Sequence, residues 1–257
     1  MEMMFIAVIG GLIGGFMNTV ASSGSAITLP ILLLMGLPPA VANATNRIPV
    51  FLGLLVSSIT FIRAGLINWQ LLLKTALPCT LGSILGALIA DRVPEYVVKG
   101  LILFAVVMAL LLLLTNFKKA FARAIDELPR YRWQEAIYLF LVGLWIGLIV
   151  LDGGTYLLMV LMLSMQMPLL KANAYKNVIC LITSGISLVV MGIDGNVNWG
   201  LGGVMALGSI VGGYIGAKFS MHPVAKTWTY RLLVAIISLE LVHMAFTEFY
   251  PSHLFSS

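Results

Sequence analysis

Residues 18–47 read NTVASSGSAITLPILLLMGLPPAVANATNR. An apolar helix pattern reaches Val20, breaks at Ala21-Ser22-Ser23-Gly24, resumes for one short run to Met35, and breaks again at Gly36-Leu37-Pro38-Pro39. Asn43, Thr45, Asn46 and Arg47 then open the next apolar segment. In an aqueous protein this is a helix–loop–helix. Between runs of lipid length it means more, because irregular backbone at membrane depth persists only where it is buried in protein or lines a cavity.

The rest of the chain supplies those runs. Of 257 residues, 60% are hydrophobic and 10% charged, against roughly 25% charged in soluble domains. The mean hydropathy is +1.04, and several segments reach the ~18 apolar residues that a spanning helix needs. The sequence therefore describes a polytopic protein of the cell (inner) membrane, with the lipid bilayer as its surroundings. In that setting the net charge of +5 is a topology signal rather than a nucleic-acid patch. The opening MEMMFIAVIGG has no positive n-region and no small-residue cleavage site, so it reads as mature sequence. Cys79 and Cys180 both sit inside apolar runs and read as reduced packing residues, neither a disulfide framework nor a metal site.

Apolar segments fall at about 4–20, 25–36, 40–62, 70–90 and 97–115, and again at about 134–150, 155–165, 170–192, 199–219 and 229–249. The 25–36 and 155–165 runs extend only about 16–18 Å, roughly half a hydrocarbon core. The second five segments repeat the first five at an offset of 130 residues: Gly24 falls on Gly154, Ala42-Asn43-Ala44 on Ala172-Asn173-Ala174, Ser57 on Ser187, Asn68-Trp69 on Asn198-Trp199, and Gly82 and Gly86 on Gly212 and Gly216. This divides the chain into a first membrane repeat (1–115), a linker (116–133) and a second repeat (134–257).

Charge orients the halves. If each half holds a re-entrant hairpin plus three crossings, the second half is inverted. With the linker cytoplasmic, Lys118, Lys119, Arg123, Arg130, Arg132, Arg63, Lys74, Lys171, Lys176, Lys218, Lys226 and Arg231 all lie inside. Only Arg47, Arg92 and Lys99 lie outward, which obeys the positive-inside rule. Four crossings per half would make the repeats parallel and put Lys171 and Lys176 outside. The expected fold is all-α: two inverted-topology repeats, each a re-entrant broken-helix hairpin plus three transmembrane helices, with both termini outside. Within the linker, Phe117, Phe121, Ile125 and Leu128 share a helical face away from Lys118, Lys119 and Arg123, the pattern of an interfacial amphipathic helix.

Inverted repeats with broken helices are the architecture of secondary transporters, whose half-helix N-termini point at anionic substrate groups. Here those tips are Ser22, Ser23, Gly24 and Ser25 in the first half and Gly153, Gly154 and Thr155 in the second. Small residues let a ligand approach free N–H groups, and the hydroxyls add donors. The same residues also serve as ordinary helix caps. Asn46 and Arg47 are answered in the second half by Tyr175, Lys176 and Asn177. A cation in an apolar run costs roughly 2.5–3.5 kcal/mol, so Arg47 and Lys176 either serve an anion or snorkel to the nearby segment ends. Asp152 beside the second break can carry a coupling proton, pair with Lys176 or cap the short helix; Glu240 and His243, in the last segment, are further coupling candidates. The Gly-x-x-x-Gly spacings at Gly10, Gly82, Gly143 and Gly208 serve contacts within one chain or across a homodimer. No Walker loop, dinucleotide fingerprint or HExxH motif occurs, so no cofactor, resident metal or ATP hydrolysis is expected.

The glycine-rich opening through Arg47, the GLINW block at 65–69, the LGSILGALIAD block at 81–91 and their echoes resemble the sulfite exporter TauE/SafE family, also called the toluenesulfonate uptake permease family. The resemblance spans nearly the whole chain and implies transport of sulfite, thiosulfate or organosulfonates without ATP hydrolysis. It carries Ser22 to Ser25 and Thr45-Asn46 onto the family's glycine-rich break and Thr-Asn pair. The second half departs from that pattern at Asp152-Gly153-Gly154-Thr155 and Tyr175-Lys176. Together, residues and resemblance read as a non-enzymatic secondary transporter of a small sulfur-containing anion, sulfite or an organosulfonate such as sulfoacetate. The anion would lie between the two tips near the midplane. The main alternative is an anion channel built on the same tips. A serine hydrolase using Ser22 or Ser23 lacks an evident base, and a purely structural subunit has little use for paired breaks.

Overall fold

A computed structural model describes residues 2–90, 129–148, 153–193 and 197–229, with residues 231, 232, 235 and 238. The described residues are helical and contain no strand. We number the helices α1 (Glu2–Ala21), α2 (Ser25–Leu34), α3 (Pro39–Arg63), α4 (Trp69–Ala90), α5 (Trp133–Leu148), α6 (Gly153–Met159, continuing as a π-helix over Val160–Ser164), α7 (Leu169–Ile193) and α8 (Trp199–Ser220). Five of them, α1, α3, α4, α7 and α8, are long and apolar enough to cross a membrane. The expected segments at 97–115 and 229–249, and the linker face from Phe117 to Leu128, lie wholly or mostly outside the described residues.

Both expected short helices are present, and between α1 and α2 the chain breaks at Ser22–Gly24. α2, at 10 residues, is about 15 Å long and turns back along α1: Gly14 packs on Thr28 and Gly10 on Ile31. It ends at Gly36, whose φ of 86° opens the turn that returns the Leu37 N–H to the Leu32 carbonyl. Gln166 holds the matching left-handed position after α6, with φ of 57°. Where α2 carries Pro30, α6 has its π-turn, beginning at Val160, and the closing bond lengthens by one residue, from the Met167 N–H to the Leu161 carbonyl. Leu157, Leu158, Met159, Leu161 and Met162 are buried, so this irregular helix is wrapped in protein.

Helix pairing exchanges partners between the halves. α1 packs most extensively on α8, and α4 on α5. A Cβ at Gly212 or Gly216 would run into α1 at Leu12 and Phe16; a Cβ at Gly82 or Gly86 would run into α5 at Phe140 and Leu144. These two contacts are equivalent if α4 and α8 are related by an offset of 130 and α1 and α5 by 128. In return Gly11 and Gly15 meet Met205 and Ser209, while Gly143 and Gly147 meet Cys79 and Ser83. The glycine spacings thus serve contacts within the chain, where close backbone approach replaces a hydrophobic driving force. In both pairs residue numbers rise together, so the partners are parallel. Between α3 and α7 they run opposite: Ser57 meets Asn177 and Phe51 meets Gly185.

Candidate functional site

Two reciprocal bonds set the site's frame. Thr45 Oγ1 accepts the Asn198 N–H at 2.9 Å, and the Tyr175 hydroxyl accepts the Asn68 N–H at 2.9 Å. Both partners stand 130 positions from their counterparts. Asn68 and Asn198 head α4 and α8, each accepting an N–H three residues on, from Leu71 and Leu201. Each long central helix therefore grips the start of a helix in the opposite half.

Two residues beyond Thr45 and one beyond Tyr175, the side chains turn inward to a cavity of about 30 Å³, room for one or two waters. From the breaks it is lined by Ser22, Ser25, Gly153 and Gly154, and from the central helices by Arg47 and Lys176. The two cations are each 1% exposed. Burial within protein removes the snorkelling alternative for both. Among the described residues neither has an acidic partner within ion-pair distance. Arg47 Nε and Nη2 and Ser22 Oγ are buried without a hydrogen-bond partner among the described residues, as are Asn46 Nδ2 and Thr155 Oγ1. Buried donors left unmade cost about 1–3 kcal/mol each, and more when charged. Ser22 also holds φ of 65°, a left-handed conformation uncommon for a residue with a side chain. The backbone there is held by the Ser22 N–H bond to the Asn18 carbonyl at 3.1 Å.

The other expected residues take supporting places. Lys176 Nζ donates to the Asn18 and Thr19 carbonyls at 2.9 and 3.1 Å, which uses two of the three ammonium donors. Asn177 donates to the Thr19 and Asn173 carbonyls and accepts from Ser57. Asn46 Oδ1 accepts from Thr28 of α2 at 2.6 Å. The Ser23 hydroxyl folds back on the Ala21 carbonyl, and Gly24 lies against Gly14. Tyr175 stands apart from the cavity, its hydroxyl held at Asn68 beside a separate pocket lined by Lys171 and Met167. Asp152, Glu240 and His243 lie outside the described residues.

Sequence reasoning missed part of the wall. Cys180, Thr183 and Ser184 line the cavity one and two turns beyond Lys176; Val50 and Leu54 do so beyond Arg47, with Asn18 and Ile146 closing the sides. Helical spacing, of four, seven and eight residues from Lys176 and of three and seven from Arg47, was the available signal. The α7 wall is polar and the α3 wall apolar. Such an arrangement suits a small anion whose oxygens meet several N–H and O–H donors and one guanidinium.

A profile of the Sulfite exporter TauE/SafE family matches residues 7–244. A "Probable membrane transporter protein" of Haemophilus influenzae is 30% identical over 219 residues, covering 82% of each chain. The "Probable membrane transporter protein ORF9" of Sinorhizobium sp is 26% identical over 90% of this chain and 88% of its own. The "Probable membrane transporter protein YfcA" of Escherichia coli K12 is 24% identical over 88% and 83%. No solved structure matches the chain.

Proposed function

Because the chain belongs to the sulfite exporter TauE/SafE family, a family of membrane transporters, we propose that it is a secondary carrier of a small sulfur-containing oxyanion, sulfite or an organosulfonate such as sulfoacetate. The observation that carries this reading is the buried pair of cations beside the break, which among the described residues have no acidic partner and leave Arg47 Nε and Nη2 and Ser22 Oγ without a hydrogen bond. In the proposed complex Arg47 grips the anion as a planar fork. Ser22, Ser25 and the backbone at Gly153 and Gly154 supply further donors. Lys176 contributes its charge and remaining N–H. Asn46, through Thr28, and Asn177, through the Thr19 carbonyl, brace the break.

The reading includes inverted repeats and re-entrant breaks. The antiparallel course of α3 and α7, equivalent helices of the two halves, supports an axis in the membrane plane. So does the reciprocal exchange of α1–α8 and α5–α4. The linker, Arg63, Lys74 and Lys171 then share the cytoplasmic face; Tyr131 donating to the Lys74 carbonyl and the Arg130 N–H to Met165 fit that grouping. A carrier is favoured over a channel by the transporter names of the relatives.

The test is uptake of labelled sulfite, thiosulfate, sulfoacetate and taurine into proteoliposomes. Saturable uptake of one anion, lost in Arg47→Ala while folded yield is kept, is the expected result. Current linear in driving force, without saturation or exchange, would overturn the carrier.

A further inference from the structure

The last carbonyls of a helix have no donor within it and carry its negative dipole end. At the end of α1 the Asn18 carbonyl still accepts the Ser22 N–H and the Thr19 carbonyl accepts from Asn177 Nδ2, and both also meet a positive charge from elsewhere. Lys176 Nζ, reaching in from α7, lies 2.9 Å from the Asn18 oxygen and 3.1 Å from the Thr19 oxygen. In broken-helix carriers, unwound carbonyls and half-helix C-termini are where a coupling sodium ion is coordinated. An ammonium presents the same charge to the same kind of oxygen.

The internal repeat supplies a second observation. At the offset of 130, Lys176 corresponds to Asn46, a neutral side chain whose Oδ1 is engaged by Thr28 and whose Nδ2 has no partner among the described residues. A fixed cation is therefore absent from the equivalent position of the first half. It has been supplied at one of two equivalent places, and there it sits on backbone oxygens.

We infer that the Lys176 ammonium is a tethered replacement for a coupling cation: it fills a monovalent-cation site made by the Asn18 and Thr19 carbonyls, and transport by this chain needs no sodium. The coupling role rests on the carrier reading above, whereas the cation site itself does not depend on which anion is carried.

The experiment compares melting of the purified parent, Lys176→Arg, Lys176→Ala and Lys176→Thr in sodium, lithium, potassium or choline chloride at equal ionic strength, with no sulfur anion added. The parent and Lys176→Arg should melt within about 1 °C in all four salts. Lys176→Ala and Lys176→Thr should melt about 2–4 °C higher in at least one alkali salt than in choline. Folding of these variants only in alkali salt is the same result, reached earlier. Identical melting in every salt, or failure to fold in every salt while Lys176→Arg folds, overturns the inference, because a free cation then does not stand in for the ammonium. Sodium stabilisation of the parent overturns it too. Since no anion is present, flat melts alongside normal anion uptake would remove this inference alone. Cation-dependent melts without anion uptake would remove only the anion assignment.

Discussion

The Tyr175 hydroxyl accepts the Asn68 N–H at 2.9 Å and lies 3.1 Å from the Asn68 carbonyl, joining α7 of the second half to the start of α4 in the first. Its counterpart is Thr45 on Asn198. Tyr175→Phe removes this tie without touching the cavity, at a cost of about 1–2 kcal/mol. The melting temperature should fall by about 2–6 °C while anion affinity stays within about twofold. A loss of affinity as large as that of an Arg47 variant would return Tyr175 to the binding site.

Ser22 combines a left-handed backbone with a cavity-lining hydroxyl, so stability and binding should move in opposite directions. Glycine adopts that φ freely, where other L residues pay about 1–2 kcal/mol. Ser22→Gly should raise the melting temperature by about 2–4 °C and weaken anion binding by about 5–10-fold, the worth of one hydrogen bond. Thermal melts paired with equilibrium binding check it; a variant that binds as tightly as the parent would leave the hydroxyl with no role.

Two glycines five residues apart on α8 separate packing from propensity. A Cβ at Gly208 would collide with the Val8 carbonyl of α1, whereas one at Gly203 meets nothing within 4 Å. Gly208→Ala should force the helices apart and lower folded yield and melting temperature. Gly203→Ala should be neutral or stabilise by up to about 1 kcal/mol. Equal behaviour of the two variants in detergent melts would contradict the α1–α8 contact as described.

Much of this was written in residues 18–47 and their echo, because small and polar residues interrupting lipid-length runs have few structural explanations. The same logic singled out Arg47 and Lys176. Their burial was not legible: a cation near a segment end snorkels or turns inward according to what packs beside it, and for Lys176 that is the end of α1 from the opposite half. Tyr175 precedes Lys176 in the stretch that answers Asn46 and Arg47, yet neighbouring residues on a helix point about 100° apart, and its hydroxyl meets Asn68 instead. Cys180, Thr183 and Ser184 were overlooked because small polar residues are common in membrane helices; only their spacing from Lys176 distinguishes them. The 128-residue register of α1 against α5 was hidden because Gly, Leu and Ile recur throughout both. It emerged from which carbonyls the glycines face.

The most direct test of an oxyanion gripped at the break is equilibrium binding of labelled sulfite and sulfoacetate to the purified protein and to Arg47→Gln, which keeps a similar length and loses the charge. Saturable binding of one anion by the parent, weakened about 10–150-fold in Arg47→Gln as expected for a charge-assisted contact of about 1.5–3 kcal/mol, is the predicted result. Equal affinity in the two proteins, with both folded, would contradict it.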